Sequence, residues 1–159
     1  IARYLKKYIP GFENAYFDRV APFMGIRETR RLVGEYILTE QDIFDCAKFD
    51  DSIAVSAYPV DLHHPVGGDC TLMWCPDCHD IPYRSLLPKK IDSLIVAGRC
   101  ISATHLALAS VRVMGPAMAT GEAAGKAAAL SVKHNVQLRD LDVAALQAAL
   151  REEGVYLRD

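Results

Sequence analysis

The chain has 159 residues, a formal net charge of −2, 51% hydrophobic and 24% charged residues. That composition fits one globular domain or a large part of one and excludes a disordered segment. There is no basic cluster to attract nucleic acid, and the longest apolar tract, residues 100–111, is broken by His105 and stops at Arg112, so no membrane span is expected.

Residues 1–24 mix charges with Tyr4, Tyr8, Phe12, Tyr16, Phe17 and Phe23 around Pro10-Gly11. They predict a helix end, a turn and a second short helix, with the aromatics buried in a core. Residues 26–38 have strand character. Thr39-Glu40-Gln41-Asp42 predicts a capped helix start, Thr39 accepting from the first free N–H groups. Residues 52–62 read as a strand, with Pro59 marking an edge or an end. Residues 63–80, which include His63-His64 and Gly67-Gly68, are rich in turn formers and predict a loop or hairpin.

Residues 94–97 are wholly apolar and predict a short strand buried on both faces, ending at Ala97-Gly98-Arg99. An irregular loop follows, and a helix begins at Gly115-Pro116 and runs to about His134. A strand stopping at a Gly beside a helix N-terminus is how open α/β proteins build a ligand crevice. The helix end offers free N–H groups and a positive dipole end. Gly121 and Gly125 lie inside this helix, each costing about 1 kcal/mol against Ala. With Ala124 and Ala128 they predict a face on which a sheet or cofactor sits closely. Asp142 caps a final helix to about Glu153, whose stripe is Val143, Leu146 and Leu150, and Gly154 ends it.

Three blocks occur in a fixed order: Gly25-Ile26-Arg27-Glu28-Thr29-Arg30-Arg31-Leu32-Val33-Gly34-Glu35-Tyr36, Ile81-Pro82-Tyr83-Arg84-Ser85-Leu86-Leu87-Pro88, and residues 91–125. Together they resemble the C-terminal part of FAD-dependent oxidoreductases of the two-dinucleotide-binding-domain superfamily, related to fumarate-reductase-type flavoproteins. The resemblance implies an α/β protein (α+β for a fragment), the C-terminal portion of a Rossmann-like FAD-binding domain plus part of a substrate domain. Residues 1–88 would belong to the substrate or cap domain and 89–159 to the FAD-binding domain with its terminal helix. It implies FAD as cofactor and hydride transfer to or from a small-molecule substrate. The 159 residues contain no G-x-G-x-x-G, the element that holds the FAD diphosphate, and begin at Ile1. The expectation is therefore a fragment that does not hold FAD alone, is inactive alone, and self-associates through exposed edges.

By the same resemblance, Gly98 and Arg99 would flank the ribityl–diphosphate region, and Gly115, Pro116, Ala117 and Met118 would face the pyrimidine edge of the flavin. Arg112, three residues before Gly115, corresponds to an Arg that grips a substrate carboxylate, a task suited to a planar guanidinium. Arg27, with Arg30 and Arg31, provides further cations, and His105 and His63-His64 are candidate acid–base groups because histidine titrates near neutral pH. Tyr83 and Arg84 could line the substrate side. A purely structural role remains the alternative for each.

The five cysteines, an odd number without a visible secretory signal, point to free thiols in a reducing, cytoplasmic setting. Cys75-Pro76-Asp77-Cys78-His79 formally matches a c-type haem attachment site. Cys70, Cys75 and Cys78 have the spacing of three ligands of a [2Fe–2S] cluster or of a Zn half-site. Reduced thiols with no metal are the preferred reading. An iron–sulfur electron-transfer module and a non-catalytic flavoprotein-like fragment are the competing functions.

Overall fold

The computed structural model describes residues 1–63 and 69–158. His64 and Gly67-Gly68 lie outside the described residues. Among the described residues, five α-helices, α1 (Ala2–Tyr8), α2 (Glu40–Phe44), α3 (His105–Val111), α4 (Met114–His134) and α5 (Val143–Glu152), accompany four short strands, β1 (Ser52–Ser56), β2 (Val60–His63), β3 (Cys70–Met73) and β4 (His79–Pro82). The strands form two antiparallel pairs, β1 with β4 and β2 with β3. Helices with small antiparallel sheets make this a mixed fold of the expected α+β class. Parallel pairing among the described residues is limited to the isolated bridge between Leu38 and Ala103.

Local chemistry explains the helix ends. Thr39 and Asp42 form a reciprocal capping box at α2, and the Asp142 carboxylate accepts from the Ala144 N–H at α5. α4 ends at Asn135 in the left-handed conformation that Asn tolerates. Pro59 separates β1 from β2, dividing the one strand expected over residues 52–62.

One buried cluster, from Leu38 to Leu157, joins all the strands to α2–α5. Leu38, Ile43, Ile53, Ile81, Leu86, Leu108, Leu146 and Leu150 are fully buried. Each such side chain contributes about 1.5–3 kcal/mol of transfer free energy. Gly34 is required where the chain passes Ser102: a Cβ there would lie 2.7 Å from the Ser102 Cβ.

Several expectations are corrected. Residues 26–38 form no ladder. Residues 32–38 run between residues 84–89 and 100–104 and make isolated bridges: Glu35 N–H to Leu87 O with Lys89 N–H to Val33 O at Gly34–Pro88, and Leu38 N–H to Ser102 O with Thr104 N–H to Leu38 O at Leu38–Ala103. Residues 94–97 are not a buried strand: Val96 N–H reaches Leu86 O, no strand among the described residues pairs with the segment, and Leu94 is exposed. The second helix expected within residues 1–24 is replaced by turns. The aromatics there are exposed, because this segment contributes nothing to the core; Tyr4 and Tyr8 stack on each other instead. α3 occupies the apolar tract expected to be irregular, and the Thr104 hydroxyl caps it. On α4, Ala123, Ala124 and Ala127 are buried, whereas Gly121 and Gly125 are exposed with open space beside them. No helix among the described residues is long and apolar enough to cross a membrane.

Candidate functional site

α3 ends at Arg112, Val113 turns extended, and α4 starts at once. No side chain caps α4. Pro116 has no N–H, and the Ala117 N–H is paired with Val113 O, so the amides of Met114 and Gly115 form the open end. A Cβ on Gly115 would meet nothing within 4 Å. Gly98 adopts a left-handed φ of 67° and donates its N–H to the Thr120 hydroxyl at 3.0 Å; that hydroxyl donates in turn to Pro116 O. Arg99 donates from Nε to Arg112 O at 3.2 Å. Thus Gly98, Arg99, Gly115, Pro116, Ala117 and Met118 come together, with Thr120 as the pin.

Beside this end lies a polar cluster. Arg112 is 7% exposed and donates to Asp61 O at 2.7 Å. Its other terminal nitrogen lies 3.6 Å from the Glu28 carboxylate. Glu28 also accepts from His105 Nδ1 at 2.8 Å and faces Arg31 at 3.6 Å. A Nδ1–H pointing at Glu28 leaves His105 Nε2 as the free acceptor. Arg27 Nη1 is 2.9 Å from His63 Nε2, which is 3.1 Å from Asp61. The Cys70 thiol donates to Asp61 at 2.8 Å. That bond lowers the Asp61 pKa and raises that of Cys70. Arg112, His105 and Arg27 are therefore joined through Glu28 and Asp61.

A groove of about 540 Å³ adjoins the helix end, walled by Tyr58, Pro59, Leu72, Trp74, Val113 and Gly115. Its walls are mainly apolar, and Trp74 is exposed.

The FAD dependent oxidoreductase family model matches residues 1–150. The chain belongs to the FAD dependent oxidoreductase family. No curated protein and no solved structure matches it. FAD is the cofactor of this family, and the residues at the start of α4 suit such a group: an uncapped helix end, no side chain on Gly115, and an apolar groove alongside.

Other expected residues have different places in this flavoenzyme family member. Tyr83 is buried and donates its hydroxyl to Leu138 O at 2.8 Å; burial pushes its pKa to about 12. Arg84 pairs through two nitrogens with Asp51. Both hold the fold and neither touches the polar cluster. The haem-like motif fails on His79, which is fully buried within β4. Cys70, Cys75 and Cys78 do not converge: Cys70 faces Asp61, whereas Cys75 faces Tyr58 O. The described residues able to share a metal are instead Asp61, His63 and Cys70. Glu28, Asp61 and Thr120 were not singled out by sequence. Glu28 stood inside a charged block that otherwise reads as a solvated face, and no local motif marks the other two.

Proposed function

We propose that the chain forms the flavin-facing and substrate-binding part of an FAD-dependent oxidoreductase acting on a small molecule that carries an anionic group. The carrying observation is the buried Arg112 guanidinium beside the open end of α4. Bound FAD supplies hydride acceptance or donation. The amides at Met114 and Gly115 favour negative charge at the groove. Glu28 and Asp61 O orient Arg112, whose remaining donors suit a carboxylate. His105, oriented by Glu28, can take or return a proton at Nε2. Trp74, Leu72 and Tyr58 offer one wall an apolar surface for the ring system or the substrate body.

Residues 1–88 and 89–159 are proposed as the substrate side and the flavin side of one packed body, consistent with a buried cluster drawn from both. A competing reading, a flavoprotein-like fragment without catalysis, is favoured by the lack of G-x-G-x-x-G in the 159 residues. The test is steady-state kinetics of the natural protein carrying this sequence, over a panel of carboxylates and their neutral esters. Arg112→Gln should raise KM for the carboxylate at least about tenfold and leave the ester unaffected, as loss of a charged hydrogen bond requires. Equal effects on both would refute the role of Arg112.

A further inference from the structure

Asp61 and His63 lie two apart on β2, so their side chains share a face of the strand. Cys70 on β3 is the direct cross-strand partner of His63. The hairpin thereby brings a carboxylate oxygen, an imidazole nitrogen and a thiol sulfur to one place, all within 4.8 Å of one another. Asp61 Oδ1 is 3.1 Å from His63 Nε2 and 2.8 Å from Cys70 Sγ. Zinc bonds such donors at about 2.0–2.3 Å, which sets tetrahedral donors about 3.5 Å apart. The two pairs that include Asp61 need open by only a fraction of an ångström to admit an ion.

We propose that Asp61, His63 and Cys70 form a divalent d-block metal site of the zinc class on the β2–β3 hairpin. The ligand chemistry is mixed N, O and S, which suits Zn²⁺ and its spectroscopic substitute Co²⁺ rather than Mg²⁺ or Ca²⁺. Three protein ligands leave a fourth position for water or an anionic group of a small molecule. The same hairpin supplies Leu72 to the groove, and Asp61 O holds Arg112, so an ion here would fix the wall that carries both. The Cys75–Cys78 pair plays no part, because Cys75 turns to Tyr58 O.

Two cations oppose the ion: Arg112, held at Asp61 O, adds positive charge near Asp61 and Cys70, and Arg27 competes directly. Arg27 Nη1 sits 2.9 Å from His63 Nε2, competing for the same lone pair and adding a positive charge. Arg27 is exposed and comes from a segment outside the hairpin, so it can swing away. Metal and Arg27 are alternative partners of His63. This proposal does not depend on the flavin reading.

The test is a Co²⁺ titration of the full chain under a non-thiol reductant, followed by competition with Zn²⁺. The expected result is one Co²⁺ per chain with a thiolate-to-cobalt absorption band, abolished by Zn²⁺. Cys70→Ser should remove the band and His63→Ala should weaken binding at least about tenfold, while Cys75→Ser with Cys78→Ser changes nothing. Arg27→Gln should tighten binding. Cys70 and His63 are exposed, so these variants leave the core intact, and circular dichroism checks this. The proposal is overturned by the absence of a band at large molar excess of Co²⁺. It is equally overturned by a band that survives Cys70→Ser but vanishes in the Cys75/Cys78 variant.

Discussion

His79 should make this protein acid-sensitive in a way that one substitution removes. It is fully buried, and neither ring nitrogen has a hydrogen-bond partner among the described residues. Burial first, and the Arg158 guanidinium second, push its pKa from 6.5 to about 4; Asp80 and Asp42 pull weakly the other way. The native state keeps the ring neutral, while the unfolded chain protonates it below about pH 6.5. The group's contribution is therefore intact above that pH and lost as pH falls toward 4. The whole difference corresponds to about 3 kcal/mol, of which about 2 kcal/mol is lost between pH 7 and pH 5. Urea unfolding at both pH values measures it directly. His79→Leu removes two unpartnered polar atoms, so at pH 7 it should be as stable as the wild type or more so. Its loss between pH 7 and pH 5 should be smaller by about 2 kcal/mol. An identical pH dependence in wild type and variant would show that the buried neutral ring of His79 does not set the acid sensitivity.

Arg158 donates to Asp80, which is buried, and to the carbonyls of Cys78, Cys46 and Ala47; Arg158→Met should cost about 3–5 kcal/mol by leaving that carboxylate unpaired, read by denaturant melts. Thr120→Val keeps shape but strands the Gly98 N–H; a loss of about 1–3 kcal/mol is expected, and an unchanged midpoint would show that the pin carries no energy. Gly34→Ala pushes a methyl against Ser102 and Leu87 O, costing about 1–3 kcal/mol, unless calorimetry shows an unshifted Tm. We also propose that the chain self-associates, since Tyr16, Phe17, Phe23, Met24, Met118 and Val132 are all exposed; light scattering should show mass rising with concentration, and a constant monomer mass refutes it.

What could be read in the sequence was what local chemistry specifies. The Thr39 box, the Asp142 cap and the span of α4 each depend on residues within a turn or two. α3 was missed because its run of small apolar residues is ambiguous between buried strand and helix, and Thr104 was the overlooked start signal. Residues 26–38 looked like a strand because the same residue types serve a segment that makes only isolated bridges to two neighbours. The small-residue face of α4 suggested close packing; Ala124 of that face is buried, with Ala123 and Ala127 beside it, but Gly121 and Gly125 face open space. In the site, Arg112, His105 and Arg27 were candidates by residue type and by resemblance. The groups that unite them were not, because Glu28 meets His105 across 77 positions and Arg112 meets Asp61 across 51. No spacing rule reaches that far.

In the proposed function, the open start of α4 faces flavin. The most direct test of this is the visible absorbance of the natural protein carrying this sequence, purified with and without Gly115→Val. The protein should be yellow and release FAD on denaturation, and a Gly115→Val variant should fold but lose most of its flavin, because the new side chain fills the space at the helix end. A protein that stays colourless after reconstitution with FAD, or a variant that keeps its full flavin content, would contradict it.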